Sequence, residues 1–334
     1  MKKFGQLGAI AVIVAALLWS VDGLLRIHLQ MAGLRAPVIV FWEHLFGAIL
    51  LAPLVLASFK SFKGLTRQQW LAITGVSFLS GAVGTIAYTA ALGKTMFIPF
   101  SVVVLLQQLN PIFAVTAAAL FLKEPLTKRF YGLSAIALVA AYFLWLPNGV
   151  INFATGKGTL IGGLLAVIAA AAWGTSTAFS KYALKDTSTL HVTSLRFSIT
   201  PIFALGFVLF TGDHALRTLT REQFLYLVAI TFSTGLVALL IYYWGLKRVL
   251  ASRAAIYELA WPASAVIVGW LWQHQVLLAS QAVAAVVLTS AIYLIAKEQH
   301  RTQPDEKVKT TTATSKRRST TKSQSKPKTK AATA

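Results

Sequence analysis

The sequence predicts an all-α integral membrane protein: ten transmembrane helices in two inverted five-helix repeats, followed by a disordered basic tail. Three observations carry this. Hydrophobic residues make up 56% of the 334 positions and charged ones 12%, with a mean hydropathy of +0.67, whereas about a quarter of a soluble domain is charged. The apolar runs are about twenty residues long, the length a hydrocarbon core of about 30 Å demands. One unusual stretch also occurs twice. Leu105-Leu106-Gln107-Gln108-Leu109-Asn110-Pro111 has its counterpart in Ile256-Tyr257-Glu258-Leu259-Ala260-Trp261-Pro262, and each is an apolar helix with a polar group one turn before a proline.

The spans are expected at 7–27, 36–58, 70–92, 98–121, 129–148, 159–180, 190–211, 222–246, 252–273 and 277–296. The first follows Lys2-Lys3 but no small-residue cleavage site ends it, so it reads as a retained helix rather than a signal peptide. Thr66-Arg67-Gln68-Gln69-Trp70 precedes the third span, and Thr220-Arg221-Glu222-Gln223-Phe224 precedes the eighth, 220 − 66 = 154 residues on. Ala15-Ala16-Leu17-Leu18-Trp19 in the first span matches Ala169-Ala170-Ala171-Ala172-Trp173 in the sixth at the same offset. In the fourth and ninth, Pro111 and Pro262 each free a carbonyl within an apolar helix, so both are hinge candidates. Three units follow: a first five-helix repeat at 1–150, a second at 151–297, and a tail at 298–334. Five helices is an odd number, so the second unit enters the membrane from the opposite side. The interface of such inverted repeats is where carriers bind their cargo.

Lys and Arg in the loops set the orientation. With the N-terminus inside, thirteen fall on the inner side, and six (Arg26, Arg35, Lys94, Lys157, Arg217 and Arg221) on the outer. Both termini are therefore expected in the cytoplasm. The formal charge of +21 is partly that of the tail, which from Lys297 onward holds eleven Lys or Arg against three acids. A Thr/Ser/Lys-rich segment without apolar residues stays disordered, and its basic groups suit an anionic lipid surface. No aromatic residues interleave with them, so specific nucleic-acid binding is not expected.

Few ionisable residues lie within the spans, and these are the candidates for a site: Asp22, Glu43, His44, Arg196 and Glu258. Depth, at 1.5 Å per residue, puts Asp22 and Glu43 in an outer layer and Arg196 and Glu258 in an inner one. Glu258 either pairs with Arg196, locking the seventh helix to the ninth, or faces a cavity as a cation or proton carrier, or ends a helix at the periphery. Gln107 is its positional counterpart, 258 − 107 = 151 residues before. Trp19, Tyr88, Tyr257 and Trp261 are the aromatic residues expected to line a pocket for an apolar or aromatic substrate. Cysteine is absent, which excludes disulfides and Cys-ligated metals. No metal site, phosphate loop, His-Glu-x-x-His or nucleophile elbow is present, so neither a cofactor nor a catalytic residue is expected. The rival class is an intramembrane enzyme or flippase acting on a lipid phosphate.

The order of these motifs resembles that of the drug/metabolite transporter superfamily, EamA type, with one domain near 7–146 and another near 158–296. The resemblance rests on the small-residue-plus-Trp first helix of each half and on Tyr88-Thr89-Ala90-Ala91-Leu92. It rests also on Pro111 followed thirteen residues later by Glu124 in Leu122-Lys123-Glu124-Pro125-Leu126-Thr127. The chain departs from the pattern at His274-Gln275, where Gly-Glu is usual, and at Glu43-His44, where Arg-Phe is usual; the second half keeps Arg196-Phe197. The resemblance implies a multi-pass protein of the bacterial cytoplasmic membrane. It would export or exchange a small metabolite, often an amino acid, without a covalent cofactor, and is compatible with a homo-oligomer.

Overall fold

A computed structural model describes residues 2–122, 126–150, 157–184, 187–212, 216, 218–249, 254 and 256–302. Glu124 and the tail beyond 302 lie outside them. Apart from short turns such as Phe59–Phe62 and Pro147–Gly149, the described residues form ten long helical segments: α1 (Lys2–Met31), α2 (Ala36–Ala57), α3 (Arg67–Leu92), α4 (Phe100–Leu106 continued by Asn110–Leu122) and α5 (Lys128–Trp145). After these come α6 (Gly158–Leu184), α7 (Thr189–Phe210), α8 (Arg221–Leu246), α9 (Ala260–Gln273) and α10 (Ala279–Thr302). Eight of them are long and apolar enough to cross a membrane; α5, with 18 residues, and α9, with 14, are not among these eight.

The matching sequence motifs fold alike. Thr66 and Thr220 each close a capping box on the glutamine three residues on, Gln69 and Gln223, so each satisfies two of the N–H groups that a helix start leaves orphaned. Further along the same helices the backbone widens into a π segment, at Ser77–Gly84 in α3 and Thr231–Gly235 in α8. These begin 231 − 77 = 154 residues apart, the offset of the capping motifs.

The fourth and ninth spans are not continuous α-helices; each is interrupted in the turn before its proline. Proline removes the N–H that would bond the carbonyl four residues back; here that is Gln107 before Pro111 and Glu258 before Pro262. In each case the residue just before the proline takes over. Asn110 N–H donates to Gln107 O, and Trp261 N–H donates to Glu258 O at 2.9 Å. An i→i+3 bond tightens the chain locally, giving a 3-10 turn at Gln107–Leu109 and a turn at Glu258 and Leu259. Non-helical backbone at such a depth is tolerated where it is buried in protein or lines a cavity.

Packing follows the same pairing. Helix α2 packs along α7, α5 along α10 and α4 along α9; α1 packs on α8 and α9 as α6 packs on α3 and α4. Close approach at the α2–α7 crossing depends on Gly47, where a Cβ would lie 2.2 Å from the Phe197 ring. Outward faces carry Ile49, Leu56, Leu120, Ile202, Leu209 and Phe210, all exposed. Such a surface suits lipid rather than water.

Candidate substrate cavity

A cavity of about 180 Å³ opens between the two halves, room for several waters at about 30 Å³ each. Its walls come from α1, α2, α3 and α4 of the first half and from α6 to α9 of the second. Toward one end the lining reaches Ser180 and Leu246, close to the ends of α6 and α8. That end lies beside the start of α1, where Gly245 packs on Gly8. At the other end the lining stops at Arg26.

The cavity gathers Trp19, Asp22, Glu43, His44, Tyr88, Arg196, Glu258 and Trp261. It does not gather Gln107 or Tyr257. The Gln107 amide is buried between helices and donates to Val103 O at 3.2 Å and Ala166 O at 2.9 Å. It joins α4 to α6, so its match to Glu258 is one of backbone position and not of side-chain role. Tyr257 is half-buried and outside the lining.

Arg26 corrects the expectation of an outer-loop residue. Helix α1 continues to Met31 and buries Arg26 to 3% exposure. Its Nε donates to Asp22 Oδ2 at 2.5 Å, Nη2 to Glu43 Oε2 at 2.9 Å and Nη1 to Thr89 Oγ1 at 3.1 Å. Thr234 Oγ1 donates to the other Asp22 oxygen at 2.5 Å, and Thr231 Oγ1 to Glu43 O at 3.2 Å. One guanidinium thereby ties α1, α2 and α3, and two threonines of the α8 π segment tie the second half to them. The signal for Arg26 was present in the sequence, since Asp22 and Arg26 stand four apart within an apolar run, on one face of a helix. No sequence signal gave Thr89 or Thr234 as a partner of these charges.

Arg196 and Glu258 do not pair. Arg196 donates to Tyr243 Oη at 3.1 Å and Ser80 Oγ at 3.0 Å, while Glu258 accepts from Tyr242 Oη at 2.8 Å. Tyr242 and Tyr243 are neighbours on α8, their ring centroids 5.8 Å apart, and each holds one of the two charges. All of these acids and arginines face one cavity, Asp22 and Glu43 around Arg26 and the other two on their tyrosines. His44 lies 3.0 Å from Val40 O through Nδ1, which must carry the hydrogen, and it stacks on Phe197 at 4.9 Å.

The aromatic residues form a cluster around Trp261. Its ring centroid lies 5.8 Å from Tyr88, 5.9 Å from Trp173 and 6.1 Å from Trp19, and Trp19 is 5.2 Å from Tyr242. The indole N–H groups of Trp19 and Trp173 are spent on backbone, at Thr234 O and Ser80 O. Others are not: Trp261 Nε1, Tyr88 Oη, Asn110 Oδ1 and Arg196 Nε are buried without a hydrogen-bond partner among the described residues. All four residues line the cavity. Buried polar atoms are nearly always paired in native proteins, so these four leave unused hydrogen-bonding capacity at the cavity wall. Chemically the site offers flat aromatic faces, two donors, an acceptor, a hydroxyl that can be either, and no group of three or more metal-ligating side chains among the described residues.

A membrane-embedded, two-half helical bundle with a polar and aromatic central cavity is the build of a small-molecule transporter. The chain belongs to the EamA-like transporter family, whose family model matches it twice, over residues 6–146 and 160–297. It is similar to the riboflavin transporter ImpX of Fusobacterium nucleatum subsp. nucleatum, 32% identical over 294 residues, covering 87% of this chain and 97% of that one. A solved crystal structure shares the fold, with a TM-score of 0.56 at 19% identity, covering 88% of this chain and 98% of the other.

Proposed function

We propose that this transporter is a secondary carrier for a flat heteroaromatic metabolite of the riboflavin class, working by alternating access between its two halves. The observation that carries the reading is the aromatic cluster around Trp261 set beside four unpartnered polar atoms. An isoalloxazine ring has broad apolar faces and an edge on which carbonyl oxygens flank an N–H. The faces suit stacking between aromatic side chains, and the edge suits donors such as Trp261 Nε1 and Arg196 Nε with an acceptor such as Asn110 Oδ1. The name of the ImpX relative points to the same chemistry. An amino acid, the cargo that family resemblance first suggested, would use so much aromatic surface only if its own side chain were aromatic.

Alternating access is supported by the shape of the cavity, whose lining runs nearly to the ends of α6 and α8 on one side and stops at the Arg26 cluster on the other. In a bacterial inner membrane, the balance of Lys and Arg in the loops favours both termini in the cytoplasm. On that orientation the cavity faces inward.

The test is counterflow of labelled riboflavin into liposomes holding the purified full chain. Uptake is expected, and Trp261→Ala should weaken apparent affinity up to about tenfold, since an aromatic pairing contributes about 0.5–1.5 kcal/mol. Absence of riboflavin movement would exclude this cargo. Processing of an added lipid phosphate would instead support the enzyme class.

A further inference from the structure

Beyond the Arg26 cluster lies a second cavity of about 580 Å³, lined by Ile27, Gln30, Ala90 and Leu92 among others. Ile27 and Gln30 follow Arg26 on α1, and Ala90 follows Thr89 on α3. The layer made by Asp22, Arg26, Glu43 and Thr89 therefore stands between the two cavities. Gln30 Nε2 closes its far side by donating to Thr89 O at 2.6 Å.

The charges in this layer do not balance. Two carboxylates share one guanidinium, and the whole cavity lining carries three acids (Asp22, Glu43, Glu258) against two arginines (Arg26, Arg196). An unneutralised carboxylate buried in a membrane protein costs several kcal/mol. Opening a path between the cavities must also pull Arg26 from at least one of its acids, and then that acid is stranded.

We infer that the Asp22–Arg26–Glu43 layer is the gate between the two cavities and that its surplus carboxylate carries the proton that drives transport. The inference rests on the carrier reading above. A proton from the water beyond the gate adds to a carboxylate oxygen when Arg26 moves away, and it returns to water on the other side when the ion pairs re-form. None of the titratable or charged neighbours supplies a free positive charge to the surplus carboxylate. Arg26 on α1 is already shared, and His44 on α2 keeps its Nδ1 on Val40 O, 3.9 Å from Glu43 Oε2. Tyr88 on α3 faces the aromatic cluster. Arg196 on α7 is held by Tyr243 of α8, and Glu258, before α9, by Tyr242 of α8. The π segment of α8 contributes only threonines, Thr231 and Thr234.

The experiment compares riboflavin accumulation under a pH gradient with gradient-free exchange, in proteoliposomes at clamped zero potential. Wild type should show stimulation by the gradient, one pH unit sustaining up to about a tenfold concentration ratio for one proton per substrate. In Glu43→Gln and Asp22→Asn the ratio of driven to gradient-free transport should fall to one; in Glu258→Gln it should not. Each of the first two variants leaves Arg26 one acid, so if one fails to fold the other carries the test. A retained ratio in both, or drive by a sodium gradient in place of protons, overturns the inference. A second readout needs no substrate. Infrared spectra of the chain in lipid, on the Glu258→Gln background, should show a protonated-carboxyl band growing as pH falls and lost with Glu43→Gln or Asp22→Asn. If that band behaves so while riboflavin never moves, the cargo is wrong and the proton site stands; if neither variant changes it, the proton site is wrong whatever the cargo.

Discussion

Trp19 donates its indole N–H to the carbonyl oxygen of Thr234 at 3.1 Å, across 215 residues of sequence. The partner halves exchange roles in the equivalent bond, Trp173 to Ser80 O, also at 3.1 Å. Both pairs are related by 154 residues: 173 − 19 and 234 − 80. The acceptors sit in the two π segments, where the i→i+5 register opens carbonyls to side-chain donors; Ser80 O also accepts from Thr85 Oγ1 at 2.9 Å.

Trp19→Phe and Trp173→Phe should each lower stability by about 0.5–1.5 kcal/mol, the net worth of one hydrogen bond. Thermal unfolding in one detergent checks this. Both indoles also pack on Trp261, so the double variant should depart from the sum of the singles by about 0.5 kcal/mol or more. A much larger loss in one half than in the other would show that the bonds are equivalent in geometry but not in energy.

Arg26→Gln should be among the most damaging single changes in the chain. It leaves Asp22 and Glu43 buried without their cation, and breaking a buried pair from one side costs about 3–5 kcal/mol. Changing all three together, Arg26→Gln with Asp22→Asn and Glu43→Gln, should restore most of the thermal stability. If the triple variant is no more stable than Arg26→Gln alone, charge is not what makes Arg26 necessary.

Glu258→Gln should fold normally, because the amide oxygen can still accept from Tyr242 Oη. Combined with Arg196→Met it should show a coupling below about 0.5 kcal/mol, as expected for residues without a shared contact. A strong rescue of Arg196→Met by Glu258→Gln in unfolding measurements would contradict the separate tyrosine partnerships.

Gly47→Ala tests the α2–α7 crossing. Its new Cβ would lie 2.2 Å from Phe197 Cδ1, forcing the ring that stacks on His44 to move. Overpacking of this kind costs about 1–3 kcal/mol. Gly132→Ala, whose Cβ would meet nothing within 4 Å, is the control and should leave the melting temperature unchanged or slightly raised.

Much was legible in the sequence because its causes are local. A run of apolar residues is a span wherever it sits, a threonine three residues before a glutamine caps a helix by its own reach, and a proline deprives the carbonyl four residues back. The offset of 154 between Thr66 and Thr220, and between Trp19 and Trp173, therefore told of two related halves before any contact was known. The partners of the charges were not local. Successive residues on a helix point about 100° apart, so which side chains meet depends on each helix's rotation and on how closely neighbours approach, as at Gly47 and Phe197. Depth placed Arg196 and Glu258 at one level, yet helix rotation gave each its own tyrosine. A count of loop charges assigned Arg26 to the water outside, yet packing turned it inward between Asp22 and Glu43. The sequence by itself determined the spans, their breaks and their duplication, through chemistry confined to a few neighbouring residues. Only the tertiary structure decided which buried charges meet, because burial sets the energy of a charge through neighbours far away in the chain.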